Sequence, residues 1–86
     1  MDIAPTNPSN PFLDQLIDFL TSEPNTDQII AFQPSEALKR RSNELLERNR
    51  QTLLTAQERI ELDEFLRMNH FVNMLKIRAR QRLAQV

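Results

Sequence analysis

The sequence predicts an all-α protein, and three observations carry that expectation. It contains no Gly, where roughly six would stand at average usage, so left-handed turns and tight hairpins lack their usual residue. From residue 35 onward Glu, Gln, Leu, Arg and Ala dominate, all good helix formers. Helix-start residues at Asn10–Pro11, Ser35 and Thr55–Glu58 each precede apolar positions three and four apart, the spacing of one helical face. The expected architecture is a short N-terminal amphipathic helix, a short extended link, and an antiparallel helical hairpin ending in a long C-terminal helix. At 86 residues this is one domain, near the size where a single core only just suffices.

Taken in order, "MDIAPTNPSN" is rich in Pro and Asn with no apolar period, and predicts a disordered tail over 1–10. Pro5, Pro8 and Pro11 stand three apart, the repeat of a polyproline II turn. Asn10 then serves as N-cap with Pro11 at the first helical position, which predicts a helix over 11–21. Phe12, Leu13, Leu16, Ile17 and Leu20 share one side of it, with Asp14, Gln15 and Asp18 opposite. Pro24 ends it, having no N–H to continue the ladder. Eleven residues make a marginal helix in isolation. Its apolar stripe must therefore dock, either in cis on the long helix or in trans on a partner.

Ile29, Ile30 and Phe32, followed by Pro34, predict an extended segment over 27–33. Ser35 caps a second helix over 36–49, whose apolar side is thin (Leu38, Leu45, Leu46) and whose remainder is basic. Thr55 and Glu58 form a capping box: the hydroxyl accepts from the third helical N–H while the carboxylate reaches back. From there a helix runs without a breaker over 56–84. Phe65, Met68, Val72, Leu75 and Ala79 keep an a/d-like seam along it. Phe71, Met74 and Ile77 widen the apolar surface beyond one stripe, so this middle portion requires cover from several sides. The seam is the expected homodimer interface.

Composition excludes several chemistries. Without Cys there is neither a disulfide nor a thiolate metal site, and His70 is the lone histidine, so no metal or cofactor is expected. The Gly-dependent phosphate loops fail outright. No apolar run approaches the ~20 residues of a membrane span and no signal-peptide pattern opens the chain; a soluble, cytoplasmic protein is expected. Asp63, Arg67 and His70 share a helical side, which reads as an ordinary surface ion pair beside a histidine. Glu58, Glu61, Asp63 and Glu64 cluster in the first turns of the long helix, where negative charge suits the helix dipole. No nucleophile–base pair presents itself, and the chain is expected not to be an enzyme.

Net charge is −1, but it is unevenly laid out. Residues 1–38 carry six acids and no base, giving −6, and residues 39–86 carry all eleven bases against six acids, giving +5. An acidic front folding onto its own basic back accounts for this, as does a basic surface offered to an acidic partner or nucleic acid. Lys39, Arg40 and Arg41 are the candidate phosphate contacts. The order extended segment, helix, helix also matches ribbon-helix-helix repressors, although Gln28 and Gln33 are the segment's only plausible base readers.

The stretch from Phe32 to Leu83 resembles a family of small, largely uncharacterised helical bacterial proteins, chiefly cyanobacterial. The resemblance is carried by Phe32, Pro34 and Ser35; by Leu45 to Glu47 with Asn49 and Arg50; by Leu54, Thr55 and Glu58; by Glu61 to Asp63; and by Leu75, Lys76, Ala79 and Arg80. Thr52 departs from the pattern, which calls for Gly there. Some such proteins are described as antitoxin-like, with genes beside nuclease-type toxins. The resemblance implies no catalytic residue and covers roughly 29–83, leaving the N-terminal helix outside it.

The expected function is therefore an intracellular, antitoxin-like protein-interaction module that binds and inhibits a partner protein. The partner-binding arm is the stripe Phe12, Leu13, Leu16, Ile17 and Leu20, whose acidic flank would imitate nucleic acid toward a basic cleft. The alternatives are a DNA-binding regulator acting through Lys39, Arg40 and Arg41, and a purely structural assembly factor.

Overall fold

A computed structural model describes residues 10–85; the tail expected over 1–10 therefore lies, Asn10 apart, outside the described residues. The protein is all-α. Its elements are α1 (Pro11–Thr21), α2 (Thr26–Ala31), α3 (Glu36–Arg50) and α4 (Ala56–Ala84), with no strand among the described residues.

Each helix starts where a polar side chain takes over an orphan N–H. Asn10 Oδ1 accepts from the Leu13 N–H at 3.1 Å, with Pro11 following. Ser35 Oγ accepts from Leu38 at 3.2 Å. Thr55 and Glu58 close a full capping box at 3.0 and 3.1 Å. The extended segment expected over 27–33 is replaced by α2, and its cause is a second capping box. Asn25 Oδ1 accepts from the Gln28 N–H, and Gln28 Oε1 from the Asn25 N–H, both at 2.8 Å. That reciprocal pair outweighs the strand preference of Ile29 and Ile30, which is less than ~1 kcal/mol per residue. With a helix there, the ribbon of a ribbon-helix-helix fold has no counterpart among the described residues.

Two helix ends reach left-handed backbone without glycine. Glu23 has φ 59° and Thr52 has φ 56°. After α3, the Leu53 N–H bonds Arg48 O at 2.8 Å and the Thr52 N–H bonds Asn49 O at 3.0 Å, a complete Schellman turn with Thr52 at its left-handed position. After α1 only the inner bond forms, Glu23 N–H to Leu20 O at 3.2 Å. Pro24 follows and has no N–H for the outer one.

α1, α2 and α3 all pack on α4, which makes the long helix a common wall. Phe12 and Leu16 of α1 meet Val72 of α4 in the buried core, with Phe19, Phe32, Leu38, Phe65, Met68 and Leu75 packed around them. The Phe12 and Phe65 rings lie 5.4 Å apart, and those of Phe19 and Phe32 4.7 Å apart, both tilted, within the favourable range for aromatic pairs. Leu45 on α3 and Leu62 on α4 are also fully buried. The molecule measures 48 × 42 × 18 Å; its thickness is that of two helix layers.

Candidate interaction surfaces

A hollow of about 470 Å³ lies where the start of α1 meets α3 and the first half of α4. Its apolar lining includes Phe12, Leu38, Leu45 and Phe65, and its polar lining Gln15, Arg41, Glu61 and Glu64. Gln15 closes one end by bridging two elements. Its Nε2 donates to Ser35 Oγ and its Oε1 accepts from the Ser35 N–H, both at 2.9 Å, so α1 is clipped to the cap of α3.

Arg41 dominates the electrostatics of this hollow. Its Nε and Nη2 donate to both oxygens of Glu61 at 2.9 and 3.0 Å, and its Nη1 donates to Glu44 at 2.8 Å. Glu58 stands 3.8 Å away and is held more closely by Arg48, at 3.0 Å. The hydrogen bonds from Glu61 and then Glu44 raise the Arg41 pKa above its already high ordinary value, so the guanidinium stays charged. The Glu58 carboxyl is held below its ordinary value, first by the Thr55 N–H and then by the charges of Arg48 and Arg41. The pairs Arg41–Glu61 and Arg48–Glu58 run in opposite order along the two helices, and Arg59 adds a bond to Asn49 near the same end of α3.

This geometry redistributes the bases expected to meet phosphate. Arg41 is engaged as above, and Lys39 Nζ binds Gln33 Oε1 at 2.6 Å and Glu36 at 3.2 Å. Arg40 is exposed on the outside of α3. A phosphate reaching Lys39 or Arg41 would have to displace bonds already made within the chain.

The N-terminal stripe is divided. Phe12 and Leu16, each 2% exposed, belong to the core and are not available to a partner. Leu13, Ile17 and Leu20 remain 37–47% exposed along the side of α1, next to Asp14 and Asp18. Helix α1 thus docks in cis by one edge and presents another.

The seam expected to join two copies is likewise used within the chain. Val72 and Ala79 are buried, and Phe65, Met68 and Leu75 are half-buried against the α1 core cluster. The apolar residues of α4 left outside include instead Phe71, Met74 and Ile77, 45–52% exposed, with Ile60, Leu66 and Leu83 also exposed along the helix. Phe71, Met74, Leu75 and Arg78 line a shallow hollow of about 200 Å³ there.

His70 is exposed, and no ion pair joins Asp63 to Arg67 among the described residues. Among those residues no group of three or more His, Asp or Glu side chains could hold a metal ion, and no helix is long and apolar enough to cross a membrane. Two contributors are not predicted from the sequence: Gln15, on the polar side of α1, and Glu61, in the acidic first turns of α4. The spacing of twenty residues between each and its partner leaves no local signal. No family model, curated protein or solved structure matches this chain.

Proposed function

We propose that this chain is an antitoxin-like interaction module of the cytoplasm, which binds and inhibits a basic partner protein through the outer stripe of α1. The observation that carries this reading is that Leu13, Ile17 and Leu20 stand exposed at i, i+4 and i+7 beside Asp14 and Asp18, on a helix fixed by its other edge. Three apolar anchors at that spacing are what a groove accepts from a helix. Because α1 is already folded and clipped by Gln15 to Ser35, binding would not be charged with ordering it. Residues 10–31 carry Asp14, Asp18, Glu23 and Asp27 and no base, so a positively charged cleft such as a nuclease's is the complementary surface. The antiparallel α3–α4 hairpin is the proposed scaffold, supported by the reversed order of its cross-links, and the family resemblance of that region points the same way.

The test is co-purification of the chain with the product of the adjacent gene, together with that product's activity. Ile17→Asp and Leu13→Asp are expected to abolish both capture and inhibition while leaving the helical spectrum intact. Leu16→Asp is uninformative, because it places a charge in the core. Capture unchanged by both outer substitutions refutes the proposal. A second reading, a purely structural assembly factor, draws on the cis docking of Phe12 and Leu16. It expects capture to be lost only with substitutions that also lower the melting temperature.

A further inference from the structure

The exposed side of α4 differs in kind from that of α1. Counting 100° per residue, Phe71, Met74 and Ile77 lie roughly 100–160° round the helix from Val72, and Arg67 and Arg78 fall in the same sector. From residue 65 to the end of the sequence there are five bases and no acid. From residue 65 onward the side of α4 turned away from the core is thus apolar and basic, with Asp63 preceding it. On α1, Leu13, Ile17 and Leu20 lie roughly 80–140° from the buried Phe12, with Asp14 and Asp18 beside them and no base between residues 10 and 31. That stripe is apolar and acidic.

A small chain that leaves two such patches in water has not finished burying its apolar surface. The two cannot meet within one molecule, because α1 packs on α4 through Phe12, Leu16 and Val72 and each patch lies round the helix from that contact. We propose that the outer side of α4 receives the α1 stripe of a second copy of this chain. Pairing α4 with α4 about Met74 would bring Arg67 and Arg78 of both copies together with no acid among them, and pairing α1 with α1 would do the same for Asp14 and Asp18; like charges brought together across an interface oppose it. Only the α1-to-α4 pairing satisfies shape class and charge together. The contact is heterologous, closing as a pair when made twice and growing as a chain when it does not close.

The inference shares the α1 stripe with the proposed function but does not depend on the partner. It also implies that self-association and partner capture compete for Leu13, Ile17 and Leu20. Sedimentation velocity on the full chain, from micromolar to millimolar concentration, reads it directly. The weight-average mass is expected to rise with concentration, and Met74→Asp and Arg78→Glu are each expected to weaken association by about tenfold or more. Asp18→Lys is expected to do the same, and mixing it with Arg78→Glu restores the mass that each alone has lost. Arg78→Glu reverses a charge at an exposed position and keeps part of the aliphatic stem, so it decides the matter if Met74→Asp lowers the melting temperature. A monomer at every concentration overturns the inference, as does association indifferent to Met74→Asp and Arg78→Glu, or a mixture that stays monomeric. So does a monomeric chain that binds phosphatidylserine vesicles and loses them with Met74→Asp, which would give the surface to a lipid. Capture of the adjacent gene product separates the two ideas: it survives Arg78→Glu and is lost with Ile17→Asp, whichever way the mass behaves.

Discussion

Thr52 occupies a backbone position that other proteins fill with glycine. Its φ of 56° brings Cβ against the following carbonyl, a strain of roughly 1–2 kcal/mol for an L-residue, and the branch at Cβ leaves little relief. The Schellman bonds to Arg48 O and Asn49 O hold it there. Thr52→Gly removes the strain while loosening the unfolded chain, and the net expectation is a gain of about 1 kcal/mol, or about 4–8 °C in melting temperature for a domain of this size. Thermal denaturation followed at 222 nm measures it. Glu58 gives a second prediction at this scale. Its pKa is lowered in the folded state from 4.5, so its contribution to stability is complete above that value and lost as the pH falls through the lower, folded one. Wild type is therefore expected to exceed Glu58→Gln in melting temperature at pH 6. The difference should close as the pH drops below the ordinary carboxylate range, and a difference constant down to pH 3 contradicts the assignment.

The helices show what a linear reading sees and what it passes over. Asn10–Pro11, Ser35 and Thr55–Glu58 are adjacent or three apart, so their chemistry is legible without knowing the fold, and each does start a helix. Asn25 and Gln28 are also three apart and make the same box as Thr55 and Glu58, while Ile29, Ile30 and Phe32 favour a strand. Both signals were in the sequence, and the local hydrogen bonds decided between them. The divided stripe of α1 is a different case. Phe12 and Leu13 are neighbours of equal apolarity, and only the position of Val72, sixty residues on, decides which of them is buried. At six residues α2 is too short to persist without its cap. Asn25→Ala is expected to cost about 1 kcal/mol locally. Hydrogen exchange should show the amides of 26–31 opening roughly fivefold more often, with those of α3 unchanged; equal loss of protection in both helices would mean that α2 does not open by itself.

Across the whole molecule, α4 is the one element that all the others touch, and this fixes how damage spreads. A cavity anywhere along its buried edge removes support from every neighbour at once, so the protein is expected to unfold in a single transition despite its open, two-layer shape. Leu16 and Ile17 put this to the test because they are adjacent in sequence, similar in size and opposite in placement. Leu16 is enclosed with Phe12 and Val72, so Leu16→Ala loses the transfer energy of its side chain and leaves a void, a cost of about 2–5 kcal/mol. Ile17 keeps nearly half its surface in water, so Ile17→Ala is expected to cost under ~1 kcal/mol. Urea denaturation of both variants, read by helix signal and by exchange at α3, should show one coincident transition in each and a wide gap between their midpoints. If Leu16→Ala instead released α1 alone, leaving the α3 midpoint where it was, α1 would be a separable arm held by the core rather than part of it. Its outer stripe would then have to be read as a surface that forms only on docking.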